Sequence, residues 1–246
     1  MRENEQKLIR QITHDQKIFF STHSHYWMVP PNGTLDNCIE LLVDGMLVAV
    51  SPDGQWIAFY KKEEFPDYVY LRNLSTGHIQ KILMSDPDNG HDADSRTVVW
   101  SPDSRYLAYE ANYQELWVMR ADGTQRRKVG QLEYFWLQFR WSPDSASIAY
   151  IGPVSTEQDG GPGVEAAPLY VTTINDPAPR YLATLHKSDD SGGAWDWMPD
   201  SQHIVYATHE QDAANLYKIN IQNGAQHVLT NPDRPFAAIY DVAVSS

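Results

Sequence analysis

The densest group of oxygen ligands in the sequence lies at residues 86–94, which read DPDNGHDAD. Asp86, Asp88, Asp92 and Asp94 alternate around a glycine, and Ca²⁺ takes about six to eight oxygen ligands of this kind. The spacing is not that of an EF-hand loop, because no glutamate stands at the closing position. The segment is typical of a solvated acidic loop. A Ca²⁺ or other divalent cation held by Asp86, Asp88 and Asp92 is the alternative.

Two histidines, His23 and His25, are separated by one residue near a predicted strand end. Side chains two apart on a strand point to the same face. Because imidazole is a frequent metal ligand and acid–base group, this pair is a second candidate metal site. No other histidine spacing in the sequence strengthens it, so we expect no bound cofactor.

Motifs of the common catalytic classes are missing from the sequence. It contains no G-x-S-x-G, no H-E-x-x-H, no P-loop and no glycine-rich dinucleotide fingerprint. Cys38 is the single cysteine, which excludes an intrachain disulfide and a multi-cysteine metal site. It lies in a predicted outer strand, which favours a buried or half-buried thiol over a nucleophile. We therefore predict no catalytic residue.

The charge balance restricts the partners. The 246 residues include 32 Asp and Glu against 19 Lys and Arg, a net charge of −13. Nucleic acids and anionic membrane surfaces need basic patches, so both are poor partners for this chain. The apolar runs are far shorter than the ~20 residues that span a bilayer, and no apolar stretch follows the charged N-terminus. We expect no membrane insertion and no signal peptide, which favours the cytoplasm; a signal removed earlier would indicate the periplasm or the outside of the cell.

One pattern recurs four times and indicates the architecture. An apolar run leads into Ser-Pro-Asp or its variant Met-Pro-Asp, and a second apolar run follows. The four copies are VAVSPDGQWIAFY at 48–60, VVWSPDSRYLAYE at 98–110, FRWSPDSASIAYI at 139–151 and WDWMPDSQHIVYA at 195–207. Serine, proline and aspartate suit a type I turn, and the flanking residues favour strands. Each copy therefore predicts a hairpin of strands A and B.

Two more strands follow each hairpin, and a weaker fifth copy of the pattern lies at 8–21. Predicted strand C is followed by a turn such as Asn223-Gly224 or Asp122-Gly123, a strong hairpin signal. Predicted strand D comes next. Five units of four strands at this spacing are typical of a β-propeller.

The repeats resemble those of the TolB-like, or PD40, propeller family. The matching residues are Trp100-Ser101-Pro102-Asp103, the run from Leu116 to Gly123, and Val228-Leu229-Thr230. The resemblance implies a propeller fold; the family includes TolB, which binds other envelope proteins. Similar repeats form the lid of prolyl-oligopeptidase-type enzymes and the body of oligogalacturonate lyases. The sequence shows neither the α/β domain of TolB nor a hydrolase domain, and the lyase metal-ligand motif has no match in it.

We predict an all-β fold: a closed β-propeller of four-stranded blades in a single domain, residues 1–246, with five blades favoured. The repeats span 7–44, 45–85, 95–131, 134–185 and 192–230. A closing strand is predicted at 237–245, because Val242–Ser246 repeats Val48–Pro52 almost letter for letter. A six-bladed propeller cut inside its last blade is the alternative.

Loop length and charge predict where the propeller binds. The connections A–B and C–D are short and alike, whereas B–C and D–A vary widely and hold 16 of the acidic residues and five of the basic ones. Variable loops on a rigid scaffold are where binding usually resides. One face of the disc would then be strongly acidic. The predicted binding residues on it are Asp86, Asp88, Asp92, Asp94, Asp189, Asp190, Glu210 and Asp212.

The sequence thus predicts a monomeric, non-catalytic binding module that holds a basic protein or peptide through its acidic loops. The alternative is a propeller lyase or hydrolase with a metal-assisted site in the central channel. Two repeated features are predicted to have structural roles, not binding roles. Trp100, Trp141 and Trp197 are predicted to pack between blades. The turn aspartates Asp53, Asp103, Asp144 and Asp200 are predicted to stabilise their turns.

Overall fold

The computed structural model describes residues 11–12, 17–22, 25–30, 38–41, 45–61, 68–83, 97–111, 114–133, 139–153, 166–186, 194–210, 213–230, 236, 239 and 242–244. Within these ranges the regular elements are strands, and no helix there has the length and apolar character to cross a membrane. The strands form five four-stranded sheets, each paired in chain order. This confirms the all-β propeller prediction.

The strands of the first two sheets lie in the first third of the chain. The first sheet consists of β1 (Gln11–Ile12), β2 (Ile18–Thr22), β3 (His25–Val29) and β4 (Ile39–Leu41). The second consists of β5 (Met46–Val50), β6 (Trp56–Tyr60), β7 (Tyr68–Asn73) and β8 (Ile79–Leu83).

The other three sheets follow in the same order A to D. The third consists of β9 (Val98–Trp100), β10 (Tyr106–Ala111), β11 (Glu115–Arg120) and β12 (Arg127–Gln131). The fourth consists of β13 (Phe139–Trp141), β14 (Ser147–Ile151), β15 (Ala166–Thr173) and β16 (Arg180–His186). The fifth consists of β17 (Trp195–Trp197), β18 (His203–Glu210), β19 (Ala213–Asn220) and β20 (Gln226–Val228).

The chain divides into two compact units, each with its own core. The first unit comprises residues 1–113 and 119–126, and the second comprises 114–118 and 127–246. In the first unit Phe19, Leu47 and Ile57 belong to one buried cluster. In the second, the cluster joins the fourth sheet to the fifth and includes Val171, Leu182, Trp195, Trp197 and Ile204.

The Ser-Pro-Asp turns form as predicted, because the serine and aspartate side chains satisfy the turn backbone. Ser51 Oγ donates to Asp53 Oδ1 at 2.6 Å, and the N–H of Gln55 donates to the same oxygen at 3.0 Å. The fourth turn residue has a positive φ: 65° at Gly54 and 55° at Ser201. Serine tolerates this conformation less well than glycine. At Ser201 the side-chain hydroxyl also accepts a hydrogen bond from the N–H of Asp144, at 3.0 Å.

The repeated tryptophans are buried, as predicted. Trp100, Trp141 and Trp197 are 5%, 7% and 4% exposed. Each is the last residue of a three-residue strand A whose first and third residues are buried and whose middle residue is half-buried. The alternation places the indole on the sheet face that packs and the middle residue on the opposite face.

The C-terminal segment lies against the fifth sheet where it is described. The N–H of Val244 donates to Asp196 Oδ2 at 3.1 Å, and residues 242–244 are not part of a strand. In the first sheet the position of strand A is taken by Gln11–Ile12, which pairs with β2. The closing strand at 237–245, the ring closure and the single-domain boundaries stay predictions.

Tyr109 makes stability sensitive to alkaline pH. Burial raises the pKa of Tyr109 from its ordinary value of 10.0 to about 12, against the opposing effect of Arg126. Between these two values the unfolded chain loses the phenolic proton and the folded chain keeps it, so stability falls as pH rises from about 10 to about 12. Each such group contributes at most about 1.4 kcal/mol per pH unit. Tyr109→Phe is expected to flatten the fall, measured as urea midpoints from pH 9 to 12; an unchanged slope would contradict this assignment.

Candidate functional site

Each of the four later sheets has one edge made of short turns, which we call the turn edge. There the residue after strand C donates its N–H to the last residue of the A–B turn, so the two turns of one sheet lie side by side. The donor and acceptor pairs are Leu74 and Gln55 (2.8 Å), Ala121 and Arg105 (2.8 Å), Ile174 and Ala146 (3.1 Å), and Ile221 and Gln202 (2.9 Å).

The opposite end of each sheet, the loop edge, receives the long connections. β8 ends at Leu83 and β9 begins at Val98, while β16 ends at His186 and β17 begins at Trp195. The segments between these strand ends carry six of the predicted binding aspartates. The strands on either side of these segments end and begin at loop edges, while the aspartates themselves lie outside the described residues.

Seven of the eight predicted binding residues fall outside the described residues. They are Asp86, Asp88, Asp92, Asp94, Asp189, Asp190 and Asp212. Glu210 is the last residue of β18 and pairs with Ala213 across the hairpin, which places it at the loop edge of the fifth sheet. The binding role of all eight stays a prediction.

A groove of about 690 Å³ lies at the turn edge of the second unit, between the fourth and fifth sheets. Val171 and Ile221 are buried residues in its lining, and Asp144, Asp176 and Asp200 are exposed. The pKa of Asp200 lies below its usual range, because partial burial, which raises it, is outweighed by hydrogen bonds from Gln202 and His203. The groove thus holds three carboxylates and the guanidinium of Arg180 beside apolar residues. Sequence reasoning missed it, since these aspartates read as turn residues.

An ion pair links the middle residues of two A strands in the second unit. Arg140 Nη1 lies 3.2 Å from Asp196 Oδ1, and the guanidinium lies 4.9 Å from the centre of the Trp195 ring. Arg140 also donates to the carbonyl of Trp195. Both charged side chains are partly exposed, so the pair orients these strands more than it stabilises them. No sequence motif indicated it.

His25 is hydrogen-bonded to a carboxylate. Its Nδ1 lies 2.5 Å from Glu40 Oε1 on the neighbouring strand, and its side chain is 60% exposed. His23 lies outside the described residues. Cys38 is half-buried, as predicted, and forms no disulfide.

Comparison with known proteins gives a fold and one distant relative. No family model matches the chain. The curated relative is the uncharacterized peptidase YuxL of Bacillus subtilis (strain 168), which is 25% identical over 70% of this chain. The chain spans 31% of that protein's length.

Solved structures match most of this chain. An oligogalacturonate lyase in complex with manganese is 15% identical with a TM-score of 0.58, over 91% of this chain and 64% of the other. A TolB-type protein from Agrobacterium tumefaciens is 14% identical with a TM-score of 0.52, over 91% and 80%. The tricorn protease is 12% identical with a TM-score of 0.59, over 92% and 23%. This chain has a TolB-like β-propeller fold. Since these matches include enzymes as well as TolB, the fold leaves the function open.

The manganese of the lyase prompts a test for metal ligands. Among the described residues, no group of three or more His, Cys, Asp or Glu side chains is arranged to hold a metal ion. The candidates Asp86, Asp88, Asp92 and His23 lie outside those residues, and His25 is bonded to Glu40. The described side chains therefore do not fit a metal, and the predicted cation site stays a prediction.

Proposed function

We propose that this TolB-like propeller is a non-catalytic binding module that holds a basic protein or peptide through the acid-rich connections at its loop edges. One observation carries the proposal. The strands that flank residues 84–96 and 187–193 in the sequence end and begin at loop edges, and both segments carry more acidic than basic residues, which supports the proposal. A cluster of one charge sign speeds encounter with partners of the opposite sign.

The aspartates of the turn edge accept hydrogen bonds within their own turns. Asp53 and Asp103 each accept a hydrogen bond from the serine two residues before them, and Asp122 accepts two from Thr124. These hydrogen bonds also hold the pKa of Asp122 below its usual range. Because their oxygens serve the turns, the turn-edge aspartates are a matched comparison for the loop acids.

The experiment uses a fluorescein-labelled octalysine peptide and stopped-flow association. For the unmodified protein, the association rate is expected to fall at least about tenfold between about 0.05 and 0.5 M NaCl. Asp86→Asn/Asp88→Asn/Asp92→Asn and Asp189→Asn/Asp190→Asn/Asp212→Asn are each expected to slow association roughly three- to tenfold at low salt. Melting temperatures should change little, because exposed loop positions contribute within about 0.5 kcal/mol.

The control is Asp53→Asn/Asp103→Asn/Asp122→Asn, which removes the same three charges from the turn edge and keeps an oxygen acceptor in every turn. The association rate of this control variant is expected to differ by less than about twofold from that of the unmodified protein. Equal effects of loop and turn variants, or association that ignores salt, would refute the proposal. An octaglutamate peptide that associates as fast as octalysine would refute it too.

A further inference from the structure

The outer strand of the fifth sheet, β20, has one side without a neighbour among the described strands, since it is last in the order β17-β18-β19-β20. The N–H of Leu229, directly after β20, donates to the carbonyl of Leu216 on β19 at 2.8 Å. In an antiparallel ladder such hydrogen-bonded pairs alternate with pairs that are not bonded to each other. Val228, which pairs with Tyr217, and Gln226, two positions earlier, therefore direct their N–H and carbonyl groups away from β19.

The outer strands of the other four sheets carry charged side chains, which protect an exposed strand from pairing with other chains. These side chains are Glu40 of β4, Lys81 of β8, Arg127 and Lys128 of β12, and Arg180 of β16. Lys81 pairs with the strand C tyrosine Tyr70, the position that Val228 has beside Tyr217. In β20 and the two residues after it, which read QHVLT, His227 is the one titratable side chain. The usual protection is therefore missing from β20.

Two apolar side chains are exposed along this strand. Val228 is 43% exposed and lies beside Tyr217, which packs against the buried cluster of the second unit. Leu229 is 50% exposed and points to the opposite face. An extended peptide can add to such a strand: its main chain supplies hydrogen bonds, and its alternate side chains supply specificity. The outward N–H and carbonyl groups thus indicate a strand as the occupant.

A positive charge beside β20 indicates the charge of that strand. Lys218 on β19 pairs with His227 on β20, so both side chains lie on the face of Leu229. Within the part of the chain that the structure describes, Lys218 forms no ion pair. An acidic side chain opposite His227 would lie beside the Lys218 ammonium, and cross-strand pairs of opposite charge are stabilising. A second copy of β20 offers no such group, because residues 226–230 contain no Asp or Glu.

We propose that β20 is a strand-addition site for an extended segment of a partner protein that combines apolar and acidic residues. The segment pairs antiparallel with residues 226–230, the slightly more stable arrangement. It places apolar side chains opposite Val228 and Leu229, and an acidic side chain opposite His227. The inference is independent of the proposed function, because none of the loop acids takes part and octalysine carries neither apolar nor acidic side chains.

The probe is the acetylated and amidated peptide Thr-Ile-Val-Glu-Thr, whose valine lies opposite Val228 and whose glutamate lies opposite His227 in the proposed register. The readouts are the backbone ¹H–¹⁵N resonances of Gln226 and Val228 and the hydrogen exchange of these two amides. Both resonances are expected to move, with a dissociation constant of roughly millimolar order. At about 10 mM peptide, exchange of both amides should slow several-fold, since their N–H groups then donate to the peptide.

Matched peptides test the register. An N-methyl group on the peptide valine removes the donor to the Val228 carbonyl and blocks the approach of two strands to about 4.8 Å, so the dissociation constant should rise at least about tenfold. The same group on the glutamate, whose N–H points away from β20, should change it less than about twofold. Replacing the glutamate by lysine should raise it roughly 2- to 5-fold, by repulsion from Lys218.

Val228→Pro tests the protein side. Proline is tolerated in outer strands where the N–H faces solvent, so the substitution removes the outward donor and keeps the bonds to β19. The dissociation constant should rise roughly 3- to 10-fold. If the variant does not fold, the two N-methylated peptides still decide the question.

Four results would overturn the inference. The first is that the peptide leaves the Gln226 and Val228 resonances unmoved. The second is equal weakening by the two N-methyl groups, which would exclude the proposed pairing. The third is a lysine peptide that binds as tightly as the glutamate peptide, which would refute an acidic partner. The fourth is protection of the Val228 amide that rises with protein concentration in the absence of peptide, which would identify a second copy as the occupant.

Discussion

Gly45→Ala is expected to lower the free energy of unfolding by at least about 3 kcal/mol. Gly45 has a φ of 151°, a region that is essentially reserved for glycine. A Cβ there would lie 1.8 Å from the carbonyl oxygen of Tyr60 and 3.1 Å from the Cα of Lys61. Both are backbone atoms, so no side-chain rotation relieves the contact, and β5 or β6 must move. Urea unfolding measures the loss.

Gly77→Ala is the matched control. Gly77 also has a positive φ, 72°, but a Cβ would meet nothing within 4 Å. Only the backbone strain remains, and the expected loss is roughly 1–2 kcal/mol. If both substitutions cost the same, the steric contact with Tyr60 would be unimportant and the structure at the start of β5 would be wrong.

Trp197→Ala is expected to cost about 3–5 kcal/mol, the usual range for removing a large aromatic side chain from a core. Trp197 is 4% exposed and belongs to the cluster that joins the fourth sheet to the fifth, together with Trp195 and Ile204. The substitution also leaves the carbonyl of Arg140 without the indole donor. Urea unfolding, followed through the remaining tryptophans, measures the loss.

Leu229→Ala is the comparison for that result. Leu229, which follows Val228 in the fifth sheet, is 50% exposed. By contrast, Leu182, which follows Tyr181 in the fourth sheet, is only 6% exposed. Leu229→Ala should therefore cost less than about 1 kcal/mol, since little apolar surface leaves contact. A loss below about 1.5 kcal/mol for Trp197→Ala, or an equal loss for both variants, would show that the assigned core is not the stabilising one.

The sequence by itself determined the strands and their order, because the signals for them are local. The turn around Ser51 and Asp53 depends on residues two to five apart, and Gly54 supplies the positive φ that the turn needs. The alternation of buried and exposed residues in β9, β13 and β17 is equally local. Four repeats of one such pattern therefore indicated the propeller. The acid-rich connections could be assigned to loop edges for the same reason, while their binding role stays a prediction.

Only the tertiary structure decided which residues meet across sheets. Arg140 and Asp196 are 56 positions apart, and no local pattern pairs them. The groove at the turn edge of the second unit is formed by turns from two sheets. In the sequence, each of these turns is recognisable only as an ordinary turn.

Trp100 shows the difference most clearly. In the sequence it occupies the same place in its repeat as Trp197, and both were predicted to pack between blades. Both are buried, but Trp197 Nε1 has an acceptor and Trp100 Nε1 has none among the described residues. The pairing of β5, in the sheet before Trp100, shifts register, whereas the pairing of β13, in the sheet before Trp197, does not. Register depends on contacts between strands, so a repeat pattern fixes where a tryptophan lies, and the neighbouring sheet decides what its N–H can bind.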